Sequence, residues 1–245
     1  MKKKLKFLIK IFSIYKKMSM NSSIYKLAKV KINQVKMMKD RGYDILDDET
    51  EYLYDGLNYF NKLYKGESKI TTKLNNFYYR YDEDADGNEY KEGIVVYYAF
   101  KSDNSKGDMR RDDVNTIINS LTLKLDLFDY DTDVKKLLLI TPAKIANKEM
   151  VLFSKFKDLQ ILGYEDLGKN PTEHKLYSQH IKLTEKEKIS VLKELGVKSS
   201  QLCILRENYD AIVKWFGWKK QDMIKIYREI EYDVSEDSIQ YRIVC

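Results

Sequence analysis

The feature that most constrains the fold of this 245-residue chain is an alternation of helix-like and strand-like apolar patterns. Between residues 22 and 41, apolar residues recur every three to four positions, and Gly42 follows, where a left-handed residue commonly ends a helix. Phe77–Tyr81 and Ile94–Phe100 are rich in aromatic and β-branched residues, as β-strands are. Because alternating strands and helices pack as layers, the pattern predicts an α/β layer domain over residues 20–168.

The same part of the chain carries further signals for helices and strands. Asp47 and Asp48 are predicted to cap a second helix, because aspartate accepts hydrogen bonds from free N–H groups at a helix start. Thr141 followed by Pro142 also predicts a helix start, since proline at the first helical position loses no hydrogen bond. The remaining predictions are an apolar helix face formed by Leu53, Leu57, Phe60 and Tyr64, a short helix carrying Val114, Ile117, Ile118 and Leu121, and strands at Leu137–Ile140 and Leu159–Leu162.

A stretch containing Gly, Asn and Pro at residues 163–171, GYEDLGKNP, predicts a domain boundary. Beyond it, Thr184 and Glu187 match the capping box that opens a helix, and Gly196 suits its end. The residues expected on the inward face of this helix are Ile189, Leu192 and Leu195. A shorter helix with Ile212, Val213 and Phe216 on its apolar face is expected to end at Gly217.

The last two segments of the chain alternate between apolar and polar residues with period two. Met223–Arg228 and Ile239–Val244 therefore predict a terminal β-hairpin. Because a paired strand at a chain end is held in place, this part suits a docking module. The predicted fold class is α+β, with an N-terminal α/β domain over residues 20–168 and a small C-terminal α+β domain over residues 169–245.

The net charge of +6 belongs to the first 17 residues, which hold seven lysines and no acidic residue. The rest of the chain contains 37 basic and 38 acidic residues. It therefore lacks the excess of positive charge that is typical of nucleic-acid-binding proteins. Lys6 and Lys10 interrupt the apolar run that a secretory signal requires. As a helix, this extension would suit a membrane surface or an acidic partner. We favour a disordered extension over residues 1–19, or translation that begins at Met18 or Met20.

The stretch Asp82–Gly93 begins like a calcium-binding loop, with acidic residues at positions 1, 3 and 5 and glycine at position 6. Position 12, where bidentate ligation needs glutamate, is Gly93, and Glu92 stands one residue early. The flanking segments also indicate strands rather than helices. We therefore expect an acidic hairpin loop.

An alternative hypothesis is a metal-dependent nuclease on a similar α/β core. Such enzymes place an acid-x-Lys sequence on a strand to hold a divalent metal ion. Asp133-Val134-Lys135 has this spacing, and the segment from Asp222 to Lys225 is a looser version of it. The same triplet also arises by chance in a chain that is 33% charged, and no second acidic residue is clearly placed.

Cysteine and histidine are too few for the usual metal and disulfide frameworks. A zinc site would have to use both cysteines, Cys203 and Cys245, and both histidines, His174 and His180. Cys203 lies in an apolar run, which predicts a buried and inert thiol in a reducing compartment. Because the sequence also lacks a P-loop, GxGxxG, HExxH or GxSxG motif, we predict no catalytic residue, cofactor, metal ion or small-molecule substrate.

Several segments resemble those of a known family. Residues 174–187 read HKLYSQHIKLTEKE, and Gln201-Leu202, Lys225-Ile226-x-Arg228 and a terminal YRIV follow. Residues 38–43 read MKDRGY, and residues 141–143 read TPA. This pattern resembles the fifth-largest subunit of eukaryotic nuclear RNA polymerases and the corresponding small subunit of archaeal RNA polymerase. Ser178, Cys203 and Gln221 depart from the family pattern, which together with the A+T-type composition would suit a viral or divergent protist version.

The resemblance implies a non-catalytic subunit of a multisubunit DNA-dependent RNA polymerase. The N-terminal domain would be a jaw with nuclease-like topology but no nuclease activity, lying beside downstream duplex DNA. The C-terminal assembly domain would bind the largest polymerase subunit, and no membrane partner is expected. The location would be the nucleus if the source is cellular, and the host cytoplasm or the virion if it is viral.

Two sets of contact residues follow from the resemblance. One edge of the C-terminal domain is expected to face the largest subunit through His174, His180, Lys225, Arg228, Tyr241 and Arg242. The helix start formed by Thr141, Pro142, Ala143 and Lys144 is expected to face DNA. Because free N–H groups and a lysine bind phosphate without reading bases, this contact would be sequence-independent and would weaken with salt.

Overall fold

The computed structural model describes residues 22–64, 74–83, 88–99, 107–127, 134–154, 156, 158–228 and 238–245. The chain divides into two compact units, Met1–Lys169 and Asn170–Cys245, called here the N-terminal unit and the C-terminal unit. Each unit contains a four-stranded sheet with parallel and antiparallel pairs, accompanied by helices. The α+β class predicted from the sequence is therefore confirmed.

The N-terminal unit consists of α1 (Ser22–Asp40), α2 (Glu51–Tyr64), β1 (Asn76–Glu83), β2 (Glu89–Tyr98), α3 (Arg111–Leu127), β3 (Val134–Thr141), α4 (Asn147–Met150) and β4 (Leu159–Gly163). Its strands lie in the order β1-β2-β3-β4. The pair β1/β2 is antiparallel, whereas β2/β3 and β3/β4 are parallel. The helices predicted at 22–41 and 114–121 and the strands predicted at 137–140 and 159–162 are all present; Phe100, the end of another predicted strand, lies outside the described residues.

Helices cover both faces of this sheet. Val95 and Tyr97 of β2, with Leu137 and Leu139 of β3, pack in one core with apolar residues of α3. On the opposite face, Gln34 of α1 donates to the hydroxyl of Tyr78 and accepts from that of Tyr98. Because β2 and β3 are buried on both faces, they appear in the sequence as nearly continuous apolar runs.

The α2 prediction was wrong in two respects. Asp47 and Asp48 belong to a 3-10 turn, Asp47–Glu49, and Leu46 precedes it without a side-chain cap. The buried residues of α2 are Tyr52, Gly56, Phe60 and Tyr64, whereas Leu57 is exposed. The helix is broken at Asp55, where φ is −134° and ψ is 51°, and this break rotates the apolar face. A Cβ atom added to Gly56 would lie 2.6 Å from Ile32 of α1, so glycine allows the two helices to approach closely.

The helix start predicted at Thr141 and Pro142 was also wrong. Thr141 ends β3, where it pairs with Gly163 and accepts a hydrogen bond from the Tyr164 amide. Pro142 follows, where a residue without an N–H cannot extend the ladder. Helix α4 begins five residues further on, at Asn147, and Ala146 precedes it without a side-chain cap.

The C-terminal unit consists of β5 (Gln179–Lys182), α5 (Glu185–Leu195), β6 (Cys203–Leu205), α6 (Ala211–Phe216), β7 (Met223–Arg228) and β8 (Ser238–Val244), with 3-10 turns at Pro171–Glu173 and Ser199–Gln201. The strand order is β5-β7-β8-β6. Strands β7 and β8 pair antiparallel, as the predicted terminal hairpin requires. Strand β6 pairs parallel to β8.

A different helix covers each face of this second sheet. On the α6 face, Ile224, Ile226 and Val244 pack with Val213 and Trp218. On the α5 face, Met223 and Ile243 pack with residues that include Leu192. Alternation along β7 and β8 therefore sends successive residues to two separate cores.

The ends of both helices agree with the sequence signals. Thr184 and Glu187 form the predicted capping box, and Gly196 takes a left-handed conformation with φ of 64° at the end of α5. Gly217 ends α6 in the same way, with φ of 68°. These local signals hold because capping involves only residues within one turn of the helix end.

The inward face predicted for α5 was only partly right. Leu192 packs against the sheet, but Ile189 and Leu195 are exposed. The inward row instead includes Lys188, whose ammonium donates to the carbonyl oxygen of Gln221 at 2.9 Å. The Lys188 side chain is 13% exposed, so its aliphatic stem is mostly buried while its charged end is hydrogen-bonded.

The thiol of Cys203 is exposed, so the predicted buried cysteine was wrong. Strand β6 lies at the edge of the sheet and has only β8 as a neighbour. Its apolar run is therefore only partly covered, with Leu205 buried and Ile204 exposed. In the part of the chain that the structure describes, no helix is long and apolar enough to span a bilayer.

Candidate protein-interaction site

The six residues predicted to face a polymerase partner do not line one edge of the C-terminal sheet. Lys225, Arg228, Tyr241 and Arg242 lie on β7 and β8, which are the two central strands. His180 is on the edge strand β5. His174 is exposed directly after the 3-10 turn Pro171–Glu173.

Strand register divides the five sheet residues between the two faces. Lys225 lies opposite Tyr241, so these two share the α5 face. Arg242 lies opposite Ile224, and His180 lies opposite Ile226. Because Ile224 and Ile226 belong to the α6 core, His180 and Arg242 are on the α6 face, as is Arg228, two residues after Ile226.

The half-buried imidazole of His180 lies among aromatic rings. Its ring centroid is 5.6 Å from that of Tyr177, with the planes nearly parallel, and 6.4 Å from that of Trp218. Trp218 stacks in turn on Phe216 at 4.7 Å. His180 Nδ1 lies 2.5 Å from the carbonyl oxygen of Ser178. These contacts hold the ring in one orientation at the side of the α6 core.

The pKa of the His180 imidazole depends on its burial and on the charged groups around it. Burial lowers the pKa of His180 below its usual value, the Ser178 carbonyl and Asp210 oppose this, and Arg242 and Arg228 lower it further. Asp210 Oδ1 already accepts hydrogen bonds from the amides of Ile212 and Val213, at 2.9 and 3.0 Å, where it caps α6. The α6 face thus gathers two guanidinium groups beside an imidazole.

Arg242 has an unusual feature within this group. Its Nε atom is buried, yet no residue in the described part of the chain accepts a hydrogen bond from it. A buried donor without an acceptor costs about 1–3 kcal/mol, and more when it is charged.

The α5 face has a different character. The Lys225 ammonium lies 4.7 Å from the centroid of the Tyr227 ring, and the hydrogen bond with Tyr227 raises the pKa of Lys225. Ile181 and Ile239 are 40% and 45% exposed beside these residues. This face therefore combines two exposed isoleucines with partly buried tyrosine rings beside Lys225.

The predicted DNA-facing segment forms a bend, not a helix start. Thr141 is buried, Ala143 packs against the α3 core, and Pro142 and Lys144 are exposed. The Lys144 carbonyl accepts from the Met109 amide at 2.7 Å, which fixes the far end of the bend. Because no helix begins here, the cluster of free N–H groups expected to bind phosphate is absent from this segment.

The buried carboxylate Glu92 occupies the part of the N-terminal sheet where the nuclease hypothesis would need a metal ligand. Its oxygens accept from Tyr43 Oη at 2.7 Å, Arg80 Nε at 3.0 Å and Lys136 Nζ at 2.8 Å. Burial opposes ionisation of Glu92, but bonds to Lys136 and Tyr43 prevail and lower its pKa. Two cations thus occupy positions around Glu92 where a metal site would have further carboxylates.

The other candidate metal ligands give no further support to that hypothesis. Asp133 and the 84–87 part of the acidic stretch lie outside the described residues, and Asp222 is paired with Lys182 at 2.9 Å. Among the residues that the structure does describe, no three His, Cys, Asp or Glu side chains are grouped so that they could hold a metal ion.

The aromatic neighbours of His180 on the α6 face were not predicted from the sequence. Tyr177 and Trp218 are 41 positions apart in the sequence, and the ring of each lies near the His180 imidazole. Asp210 carried the one local signal, since it precedes α6 as a helix cap. The exposed Ile181 and Ile239 were not singled out because apolar residues in strands are expected to be buried.

Comparison with known proteins identifies the family. The family model for the C-terminal domain of RNA polymerase Rpb5 matches residues 169–244. DNA-directed RNA polymerase subunit Rpo5 of Sulfurisphaera tokodaii is 39% identical over 75 residues, which cover 31% of this chain and 86% of that protein. The chain belongs to the Rpb5 family. The resemblance recognised from the C-terminal motifs is thus confirmed.

Relatives in this family also match beyond the C-terminal unit. DNA-directed RNA polymerase V subunit 5A of Arabidopsis thaliana is 26% identical over 216 residues, which cover 86% of this chain and 85% of that protein. The subunit rpabc1 of DNA-directed RNA polymerases I, II and III from Dictyostelium discoideum is 32% identical over 94 residues, 38% of this chain and 46% of that protein. The match to the Arabidopsis protein is long enough to include parts of both units.

Proposed function

We propose that this chain is a non-catalytic subunit of a multisubunit DNA-directed RNA polymerase. Residues 169–245 are its assembly domain and dock on the largest subunit, whereas residues 20–168 form a jaw domain beside downstream DNA. The observation that carries this proposal is the 75-residue match that covers 86% of an archaeal polymerase subunit. A segment of that length approaches the whole of the C-terminal unit.

The geometry of the C-terminal unit supports its role as a docking module. Its terminal strand β8 is central in the sheet and pairs with both β7 and β6, so the chain end is held by two ladders. The α5 face exposes Ile181 and Ile239 beside partly buried tyrosines, and the α6 face carries arginines. Aromatic residues and arginine are enriched in protein interfaces.

The proposed contact with DNA is through the backbone and independent of sequence. Lys144 is exposed at the end of β3, and Lys148 is exposed nearby at α4. Lysines placed in this way can neutralise phosphates but do not read base edges. Since counterion release drives such binding, the contribution of each lysine declines as the salt concentration rises.

The jaw domain is proposed to have a nuclease-like topology without the activity. In support of this, β2, β3 and β4 form a parallel core with helices on both faces, and the buried carboxylate Glu92 is neutralised by Arg80 and Lys136. A cellular source places the protein in the nucleus with its polymerase, and a viral source places it in the host cytoplasm or the virion.

Affinity purification of the tagged full-length chain tests the proposed function. We expect the largest polymerase subunit and other polymerase subunits to co-purify at comparable amounts, as measured by mass spectrometry. A matched tagged protein of similar size and charge should recover none of them. Recovery of the chain without polymerase subunits, under conditions where the polymerase itself stays assembled, would contradict the proposal.

A further inference from the structure

Helix α5 covers only one end of its face of the C-terminal sheet. Because side chains alternate along a strand, this face consists of rows that cross the sheet at two-residue intervals. The row of Leu183, Met223 and Ile243 is buried and packs with α5. The next two rows are only partly covered, and together they are called here the open face. Its residues are Gln179 and Ile181 of β5, Lys225 and Tyr227 of β7, and Ile239 and Tyr241 of β8.

The open face is more apolar than a sheet surface that faces only water. Ile181 and Ile239 are exposed, and the rings of Tyr227 and Tyr241 between them are partly buried. Tyr227 lies opposite Ile239 in the strand register, and Ile181 and Tyr241 both lie opposite Lys225. These side chains are therefore neighbours across three strands. Exposed apolar residues that are grouped in this way mark interaction sites, whereas single ones are ordinary on a protein surface.

The open face has room for one more helix beside α5. Helix α5 leads from β5 at one edge of the sheet to β6 at the other, so it crosses the strands. Its 11 residues span about 16 Å, close to the width of about 14 Å that four strands have. Since successive rows are about 7 Å apart, the middle of the two open rows lies about 10 Å from the buried row. Neighbouring helices pack about 8–10 Å apart, so a helix that runs beside α5 would lie on the open face.

We propose that the open face binds an amphipathic helix of the largest polymerase subunit, whose apolar side packs on Ile181, Ile239 and the two tyrosine rings. The inference rests on the proposed function, which supplies this partner. The match to the Sulfurisphaera polymerase subunit covers 86% of that protein in 75 residues, and the family model matches residues 169–244. A relative that consists almost entirely of this unit is thus a polymerase subunit, which favours a docking surface within the C-terminal unit.

The opposite face of the same sheet offers no comparable apolar surface. Its isoleucines, Ile224 and Ile226, are buried against α6. A nucleic acid also fits the open face poorly, because its surface is isoleucine and tyrosine around one lysine, whereas nucleic-acid sites carry an extended excess of positive charge. Aromatic side chains and a desolvated apolar centre are typical of the core of a protein interface.

The first test compares how much of the largest subunit is retained by variants of the full-length tagged chain. Ile181→Thr with Ile239→Thr removes apolar contacts from the open face and keeps β-branched residues, which suit strands. The matched control, Ile189→Thr with Ile204→Thr, changes two isoleucines of the same unit that are more exposed, at 66% and 52%. We expect the open-face variant to retain at least about tenfold less of the largest subunit, and the control to stay within about twofold of the unchanged chain. An unchanged urea midpoint in tryptophan fluorescence verifies that each variant is folded.

Photo-crosslinking then identifies the molecule that covers the open face. The photoreactive amino acid p-benzoylphenylalanine replaces Ile239 in one full-length chain and Ile189 in another, and both are expressed in the cells of the source. Because both positions are exposed, the larger side chain can be accommodated without disturbing a core. After irradiation, we expect position 239 to be linked to a peptide of the largest subunit, as identified by mass spectrometry, and position 189 to give little of this product.

The two measurements separate the possible failures. If the unchanged chain retains no polymerase, the proposed function fails and the docking site fails with it. If the unchanged chain retains polymerase, but the open-face variant and the control retain equal amounts, the docking site is overturned and the proposed function stands. A crosslink from position 239 to a second copy of this chain, or to a different polymerase subunit, would also overturn the site.

Discussion

The two units of this protein differ in how their most buried charged groups are paired. In the N-terminal unit, Lys31 and Glu49 are buried and ion-paired, and Glu92 is neutralised by two cations. In the C-terminal unit, Arg242 keeps a buried Nε without an internal acceptor among the described residues. Removing one partner of a buried ion pair leaves an uncompensated charge, and a buried donor without an acceptor lowers stability. The comparison therefore contrasts a buried ion pair and a neutralised carboxylate in the first unit with a buried charged donor in the second that has no acceptor among the described residues.

Spectroscopy can follow the two units separately. Both tryptophans of the chain, Trp215 and Trp218, lie in the C-terminal unit, where they are buried. Tryptophan fluorescence therefore follows unfolding of that unit, whereas far-ultraviolet circular dichroism follows both. The following substitutions test the contrast between the units, beginning with the largest expected effect.

Removing the charge of Glu49 should produce the largest loss of folding stability among these substitutions. Besides Lys31, its carboxylate accepts from the Tyr78 hydroxyl, so Glu49→Gln leaves a buried ammonium without its counter-charge. We expect a loss of about 3–5 kcal/mol in the stability of the N-terminal unit. The measurement is urea unfolding followed by circular dichroism, with the tryptophan transition unchanged.

The double variant Lys31→Met with Glu49→Gln is the control for this effect. Because it leaves no unpaired charge, it should recover a large part of the loss. Equal loss in the single and double variants would show that the ion pair itself is not the stabilising element. A shifted tryptophan transition would show that the two units do not unfold independently.

Glu92→Gln should have a smaller and pH-dependent effect. Glu92 gains its bonds to Lys136 and Tyr43 only in the folded state, and its folded pKa is lowered. Its contribution is therefore present above the unfolded pKa of about 4.5 and is lost as pH falls through the lower folded pKa. At pH 7 we expect a loss of about 1–3 kcal/mol, measured by urea unfolding. The difference between Glu92→Gln and the unchanged chain should shrink below about pH 4.5, and a constant difference would contradict the prediction.

Gly217→Ala should destabilise the C-terminal unit alone. Gly217 has φ of 68°, a conformation that costs a residue with a Cβ atom about 1 kcal/mol. We expect the tryptophan transition to move to lower urea by that amount. The matched change Ser200→Ala, at an exposed position of the same unit, should leave it in place. No shift with Gly217→Ala would show that the left-handed cap does not limit the stability of the unit.

The smallest change in stability is expected from His180→Gln, and it should depend on pH. Burial lowers its folded pKa, so the unfolded chain takes up the proton at higher pH than the folded one. Stability of the C-terminal unit should therefore decline as pH falls below about 6.5, and His180→Gln should reduce that decline. Thermal unfolding followed by tryptophan fluorescence between about pH 7.5 and 5.5 measures this, with His174→Gln as the control. A decline of equal slope in both variants would show that His180 is not responsible.

Signals that depend on a few neighbouring residues were read correctly from the sequence. The capping box of Thr184 and Glu187 and the left-handed Gly196 and Gly217 are all present. Each depends on hydrogen bonds within a single helical turn, so a short stretch of sequence is sufficient. The terminal hairpin was also predicted, because alternation of apolar and polar residues determines a strand without reference to the rest of the chain.

Errors arose where a distant residue decided the outcome. Thr141 ends a strand and does not cap a helix, because pairing with Gly163 outweighs the local helix signal. Gly56 is buried against Ile32, and the break at Asp55 turns the apolar face of α2 away from its expected direction. Cys203 is exposed because β6 lies at the edge of its sheet.

The family and the type and order of most elements could be inferred from the amino-acid sequence, because motifs and periodicity are local properties of the chain. Which residues share a face became visible only in the folded sheets, where strand register places Lys225 and Tyr241 on one face and His180, Arg228 and Arg242 on the other. The physical reason is that side chains alternate along a strand, so residues adjacent in sequence point in opposite directions while residues about 60 positions apart can meet.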